Sequence, residues 1–309
     1  MERLVFLFPG QGSQYVGMGM EMAAEFSEAA EVFAEANSAL NSPLSDVIWG
    51  GPAEQLAQTE ITQPAILTMS VAVLRVLAKH GIAPAATAGL SLGEYTALVA
   101  AGALCFDKAV CLVRERGRLM QAAVPAGRGA VAAVMGLDSA VVEQACLASR
   151  EVGVVAIANY NCPGQVVIAG EVPAVDAALG KCTELGAKRA VKLPVSAPFH
   201  TSLLGSAGEA LRLHLERASI SPLRLPVVSN VTANYHTDVS LVDSLVAQVS
   251  SPVRFEESVR RLLADGYKHF VEVGPGNTLA SFVKRIDKDV NVFSVGDRAG
   301  LVKLLGCLA

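Results

Sequence analysis

The chain is 309 residues long, 52% apolar and 17% charged, a balance that excludes intrinsic disorder and suffices for one large core or for a core beside a smaller one. Its longest unbroken apolar run near the middle, Ala97 to Phe106, is half the roughly 20 residues of a membrane span, so no membrane partner is expected. With 25 basic and 29 acidic side chains the net charge is −4, which argues against a general nucleic-acid binder.

The six cysteines, Cys105, Cys111, Cys146, Cys162, Cys182 and Cys307, form no CxxC pair and no Cys/His cluster of zinc spacing. They read as reduced thiols, and no metal is expected. Met1-Glu2-Arg3 leads straight into an apolar run that stops at Pro9-Gly10, too short for a secretory signal. A cytoplasmic protein is expected; an organelle protein after processing would look the same.

The predicted elements begin with a strand at Leu4 to Phe8, then a helix from Met20 to about Leu40. A second helix takes Thr62 as N-cap with Pro64 in its first turn and stops at Gly81. Ala85 to Leu90 reads as a short strand, Gly93 to Ala103 as helix, and Asp107 as the cap of a helix reaching Ala123. Pro125-Ala126-Gly127 breaks the pattern. Beyond it come a strand at Ala130–Met135, a helix at Asp138–Ser149, a strand at Val154–Ala158, a turn at Pro163-Gly164, a strand at Gln165–Ala169, a helix at Pro173–Leu185 and a strand at Arg189–Leu193. This β-α-β-β-α-β order is that of the ferredoxin-like split motif. The fold class expected is therefore α/β, with a small domain, 126–194, inserted into a discontinuous core of 1–125 and 195–309. The core resumes with a helix at Thr201–Arg217, a strand at Pro226–Ser229, helices at Leu241–Val249 and Phe255–Ala264, a strand at Phe270–Val273, a helix over 278–286, a strand over 290–295 and a terminal helix.

Gly89-Leu90-Ser91-Leu92-Gly93 is a GxSxG between a predicted strand and a predicted helix, the context of a nucleophile elbow. A sharp turn there lifts a serine hydroxyl clear, and the following helix aims its first N–H groups at a developing oxyanion. A nucleophilic serine needs a base. Of the five histidines, His80, His214, His236 and His269 have structural settings, whereas His200 follows a stiff segment, Pro194 to Phe199, that joins the insert to the core. Most of the acidic residues between Ser91 and His200, from Glu94 to Glu184, fall on helix faces or caps, and none sits in an obvious loop after a core strand; the alternative to an acidic triad member is a carbonyl or amide oxygen that orients the histidine. Arg116 lies in the apolar stripe of its helix, with Leu112, Val113 and Met120. A buried arginine needs a partner, and spacing alone leaves open whether that is a core carboxylate or a substrate carboxylate. Pro9-Gly10-Gln11-Gly12-Ser13-Gln14 is neither a dinucleotide fingerprint nor a P-loop; a glycine loop at a strand end can present a backbone N–H to a neighbouring nucleophile, or be a plain tight turn.

Together these residues resemble the malonyl-CoA:acyl carrier protein transacylases, the acyltransferases of fatty acid synthesis. The resemblance runs the length of the chain through PGQGSQ (9–14), TQPA (62–65), GLSLGEYTALV (89–99), RGRLMQ (116–121), NYNCPGQVVIAG (159–170), SAPFH (196–200) and VEVGPGNTL (271–279). It implies an α/β-hydrolase-like core with a ferredoxin-like insert, malonyl-CoA as donor, acyl carrier protein as a transient partner, no cofactor, and a monomer. It also implies Ser91 as nucleophile, His200 as base, the Gln11 and Leu92 amides as oxyanion hole, Arg116 as the clamp on the malonyl carboxylate, and Gln248 as a glutamine whose oxygen supports the histidine. Gln63 and Asn159 match pocket residues. Leu90 departs from the family, where many members carry His before the serine, and Phe199 beside the histidine goes with malonyl rather than a branched acyl group. A serine esterase or thioesterase is the rival reading, as is a non-catalytic carrier-binding scaffold. The basic residues Lys188, Arg189, Lys284 and Arg285 are candidates to meet an acidic carrier protein.

Overall fold

The computed structural model describes residues 3–125, 127–194 and 197–308. The expectations touching Met1, Glu2, Ala126, Val195, Ser196 and Ala309 lie outside the described residues; they concern the chain ends, the first insert residue and part of the stiff segment and SAPFH run before His200.

The first sheet is parallel, and its central strands are mostly apolar and buried, as strands covered on both faces tend to be. β1 (Leu4–Phe8) is buried along its whole length. The helix expected to Leu40 is two, α1 (Met20–Glu25) and α2 (Ser27–Leu40), parted by an extended Phe26 whose ring packs edge-on to His80. Two short helices without a readable period follow, α3 (Leu44–Gly50) and α4 (Ala53–Leu56). α5 (Thr59–Lys79) starts at Thr59 rather than beyond Thr62, because Thr62 turns its hydroxyl inward to the Leu56 carbonyl, 2.5 Å away. Pro64 is inside α5, near enough to its start to delete a single i→i−4 bond. α5 is long and apolar enough to cross a membrane by length and composition, yet it is packed between α2 and the later α7 (Phe106–Ala122). β2 (Ala86–Gly89) and α6 (Leu92–Ala100) bracket the expected elbow. Cys105 rather than Asp107 is the N-cap of α7; Asp107 sits in the first turn, where its charge favours the helix dipole.

The second sheet contains β3 (Gly129–Met135), β4 (Val155–Cys162), β5 (Gln165–Glu171) and β6 (Arg189–Lys192), with α8 (Ser139–Leu147) and α9 (Val172–Glu184) between them. Beyond it a 3-10 turn over Ser202–Leu204 leads into α10 (Gly205–Arg217). The strand expected at Pro226–Ser229 does not form. That segment makes isolated bridges, Thr87 to Val227 and Val228 to Tyr235, because Pro226 has no N–H to continue a ladder and the chain turns away at Asn230. The remaining elements are α11 (Leu241–Ser250), β7 (Val253–Arg254), α12 (Phe255–Ala264), β8 (His269–Val273), α13 (Thr278–Ile286), β9 (Asn291–Val295) and α14 (Arg298–Leu308).

The order β2-β1-β8-β9 is parallel throughout. Alternation along β1 sends Leu4, Phe6 and Phe8 into the core with α2, α5 and α7, and Val5 and Leu7 into the core with α12 and α13. The other sheet has the order β6-β3-β5-β4-β7. Its first four strands pair antiparallel, and β7, which the sequence pattern did not reveal, adds parallel to β4 through Asn159 and Val253. One face of this sheet, with Ala132, Val134, Ile157 and Ile168, packs on α8 and α9. The opposite face turns Val131, Ala133 and Val167 toward a cavity against the first sheet.

Candidate active site

The turn after β2 is forced into its shape by close packing. A Cβ on Gly89 would stand 2.0 Å from the Gly93 carbonyl carbon, and one on Gly93 would stand 1.9 Å from the Phe8 carbonyl oxygen. The residue between them, Ser91, takes φ 54° and ψ −103°, a left-handed conformation that costs on the order of 1–3 kcal/mol outside glycine. Asn230 holds it there: its Oδ1 accepts the Ser91 N–H at 2.6 Å and its Nδ2 donates to the Gly89 carbonyl at 2.7 Å. The Ser91 side chain makes no cap bond to α6, and its Oγ faces the cavity instead.

There the Ser91 Oγ is 2.7 Å from the His200 Nε2. His200 is buried, also at positive φ, 60°. Its Nδ1 lies 2.8 Å from the main-chain carbonyl of Gln248. A carbonyl can only accept, so Nδ1 carries the proton and Nε2 is left as the acceptor facing the serine. Burial, and after it the positive charge of Arg116, push the His200 pKa down to about 4, against the opposing carbonyl bonds. The imidazole is therefore neutral at pH 7. No acidic side chain bonds His200 among the described residues, and the oxygen of Gln248 that reaches it is the main-chain one.

Glu94 on α6 is a fully buried carboxylate. It accepts from His236 Nε2 at 2.5 Å, from the Asn230 N–H at 3.0 Å and from Gln248 Nε2 at 2.8 Å. Glu94 thus ties the segment that braces the elbow to the residue that braces His200. No local pattern signals Asn230 or this use of Glu94, because Asn230 stands 139 positions from Ser91 and meets it only through the packing of its segment beside β2.

Arg116 is 1% exposed. It donates through Nη1 to Gln63 Oε1 at 2.8 Å, and through Nη2 to Gln248 Oε1 at 2.9 Å and to Ser91 Oγ at 3.0 Å. Its guanidinium lies 5.1 Å from the Tyr95 ring centroid. Tyr95 supplies no countercharge, since burial pushes its hydroxyl up to about 12. Among the described residues no carboxylate forms an ion pair with Arg116, so the core-carboxylate alternative is not what the structure contains. Burial pulls the Arg116 pKa below its usual value, the mark of a cation held without a full partner.

A cavity of about 320 Å³ gathers Ser91, His200, Arg116, Gln11, Leu92, Gln63, Asn159 and Phe199 on its walls. Gln248 stands behind it. Neither the Gln11 nor the Leu92 amide has an acceptor among the described residues, so both donors are free. Lys284 and Arg285 are engaged locally: Lys284 Nζ donates to the Val290 carbonyl at 2.6 Å, and Arg285 to Gln165 Oε1 at 2.6 Å and the Pro163 carbonyl at 2.8 Å. Among the described residues no group of three or more His, Cys, Asp or Glu side chains is placed to hold a metal ion.

A serine on a strained elbow, a neutral histidine at hydrogen-bond distance and a buried guanidinium beside both are arranged for acyl chemistry on an anionic group. The chain belongs to the acyl transferase domain family, whose model matches residues 5–303. Its relatives are malonyl CoA-acyl carrier protein transacylases. It is 46% identical over 299 residues to that of Bacillus subtilis, covering 96% of this chain and 94% of the relative. The crystal structure of malonyl-CoA:acyl carrier protein transacylase from Xanthomonas oryzae superposes with a TM-score of 0.97 at 43% identity, over 99% of this chain and 98% of the other. A malonyl-transacylase solved in complex with its type II PKS acyl-carrier protein gives 0.97 at 40% identity, over 99% and 100%.

Proposed function

We propose that the protein transfers the malonyl group of malonyl-CoA to the phosphopantetheine thiol of acyl carrier protein, supplying malonyl-loaded carrier for fatty acid biosynthesis. The observation that carries this reading is Arg116, a buried cation 3.0 Å from the Ser91 hydroxyl with no carboxylate partner among the described residues. Such a group is relieved by an anionic acyl chain delivered to the nucleophile. The relatives' names supply the same substrate.

His200 Nε2 takes the Ser91 proton as Oγ attacks the thioester carbon. The tetrahedral oxyanion is received by the Gln11 and Leu92 amides. The carbon–sulfur bond breaks, and His200 returns the proton to the coenzyme A thiolate. The carrier's thiol then gives its proton to His200 and attacks the malonyl ester; the carbon–oxygen bond breaks and Ser91 Oγ is reprotonated. Arg116 holds the malonyl carboxylate, Gln248 supports His200 through its carbonyl and Arg116 through its side chain, Gln63 backs Arg116, and Phe199 and Asn159 shape the pocket. The chemistry calls for no cofactor.

We read the architecture as an α/β-hydrolase-like core, 1–125 and 195–309, carrying a ferredoxin-like insert, 126–194. Support comes from the order β6-β3-β5-β4, with each neighbour antiparallel, and from the strand-turn-helix at Ser91. The six cysteines are free thiols, which suits a reducing, cytoplasmic setting.

The test is intact mass after mixing with malonyl-CoA. One malonyl group should appear on the wild type and none on Ser91→Ala, and holo-carrier protein should discharge it. Hydrolysis of malonyl-CoA with no adduct and no loading of carrier would sink the transferase reading in favour of an esterase.

A further inference from the structure

The buried polar cluster behind the cavity holds a second charge that the transfer described above leaves unused. Arg116 and Glu94 are both buried, and no ion pair joins them among the described residues. What stands between them is one carboxamide. Gln248, itself fully buried, accepts from Arg116 Nη2 through Oε1 at 2.9 Å and donates through Nε2 to Glu94 Oε2 at 2.8 Å. The same Nε2 also donates to the Ser91 carbonyl at 3.0 Å. These partners fix which way the amide points. Turned over, it would set its oxygen against a carboxylate and a carbonyl, and its NH2 against a guanidinium, donor facing donor and acceptor facing acceptor. Glu94 is held on its far side as well, by His236 Nε2 at 2.5 Å and by the Asn230 N–H at 3.0 Å.

This spacing reconciles stability with selectivity. A buried cation with no countercharge is costly. Burial lowers the Arg116 pKa, and Glu94 is among the groups that oppose the fall. A carboxylate in direct contact would remove the cost, but it would also fill the donors that a malonyl carboxylate needs. It would further repel that carboxylate, in a site where charges act far more strongly than in water. A neutral amide between the two charges leaves Glu94 close enough to act through space and too well engaged to pair. Gln63 does for Nη1 what Gln248 does for Nη2, accepting at 2.8 Å without bringing a charge. The guanidinium is thus held by dipoles alone, and its charge stays available to an acyl group that carries the opposite one.

We infer that the Gln248 carboxamide is a spacer that keeps the Glu94 carboxylate off Arg116, and that this separation makes the guanidinium selective for a carboxylated acyl group, an inference that rests on the transacylase reading. Gln248 thereby acts as a positioning residue that sets specificity. The experiment measures single-turnover acylation of Ser91 by malonyl-CoA and by acetyl-CoA in the wild type, Gln248→Ala, Glu94→Gln and the double variant. The quantity read is the malonyl-to-acetyl rate ratio within each protein, so any unfolded fraction cancels. The contact to His200 cancels too, because it is made by the Gln248 main chain. In Gln248→Ala, Glu94 is free to pair with Arg116, and the ratio should fall about ten-fold, what one hydrogen bond to a charged group carries. In the double variant no carboxylate remains to compete, and the ratio should recover most of that loss. Glu94→Gln alone, which keeps the size of the side chain, should leave the ratio at or above the wild-type value. A ratio unmoved in Gln248→Ala overturns the spacer. So does a fall that the double variant fails to relieve, which is what lost support of Arg116 alone would give. A fall in Glu94→Gln overturns it as well, and decides the matter even where Gln248→Ala does not fold. A wild type that takes no malonyl from malonyl-CoA fails the transacylase reading itself, and is recognised without any variant.

Discussion

Arg116 and His200 are coupled through charge as well as through Ser91. The guanidinium helps hold the His200 pKa near 4, so the base is neutral over the working range and the acid limb of Ser91 acylation should fall well below pH 6.5. Arg116→Ala should move that limb upward, since one of the two causes of the depression is removed; an unmoved limb would show that burial alone sets it. The same substitution should cost about 2–4 kcal/mol in kcat/KM for malonyl-CoA, as for a buried charge pair broken on one side, and far less for acetyl-CoA. Equal losses with both donors would refute the clamp. Stability follows the same titration. His200 gains a proton less readily in the folded state than in the unfolded one, so its contribution is present above pH 6.5 and is lost as pH falls from there toward 4. The size is on the order of 3 kcal/mol, readable as a falling denaturation midpoint that His200→Gln flattens.

At the scale of elements, the elbow is a strand end, a helix start and an unrelated segment held together. Gly89 and Gly93 let β2 and α6 approach β1 to contact distance, and Asn230 satisfies the two backbone groups that the strained turn leaves over. Asn230→Ala orphans a buried N–H and a buried C=O, at about 1–3 kcal/mol each. It should slow labelling of Ser91 by a small fluorophosphonate, per folded molecule, at least ten-fold; labelling at the wild-type rate would mean that the glycines alone fix the turn. Gly93→Ala should fail more broadly, because the added methyl meets backbone rather than a yielding side chain, and a wild-type melting temperature would contradict that packing. Periodicity made most helices and the β-α-β-β-α-β run readable. It missed α3 and α4, which are too short to show a period, and the break at Phe26, which serves a ring contact that no local pattern encodes. It misplaced a strand at Pro226, where the apolar run is right but the ladder partner is missing.

Across the whole molecule, the cavity is lined by residues of the five-stranded sheet and by residues that directly follow β1 and β2. Arg285 on α13 grips the turn between β4 and β5 through Gln165 and Pro163, and Gln165 is itself part of the cavity wall. The contact is exposed, so Arg285→Ala should cost less than about 1 kcal/mol of global stability. It should instead speed amide exchange in the turn at 163–165 and raise the KM for malonyl-CoA while leaving fluorophosphonate labelling of Ser91 unchanged. A change in labelling would place the effect at the elbow rather than at the mouth. β7 extends the five-stranded sheet with residues from well beyond its other strands in sequence, pairing parallel with β4 through Asn159 and Tyr160.

The sequence alone determined the chemistry-bearing residue types and their local settings. A GxSxG between strand and helix, an arginine inside an apolar helical stripe and a histidine after a stiff connection are each short-range patterns, and short-range patterns follow from backbone sterics and side-chain period. Tertiary structure alone decided what meets what: the Gln248 main-chain oxygen on His200, Asn230 on Ser91, Glu94 on both of their supports, and the absence of a carboxylate on Arg116 among the described residues. Those contacts join residues as far as 154 positions apart. They exist because apolar faces of separate elements bury together, and no local pattern in the chain records which polar groups that burial leaves face to face.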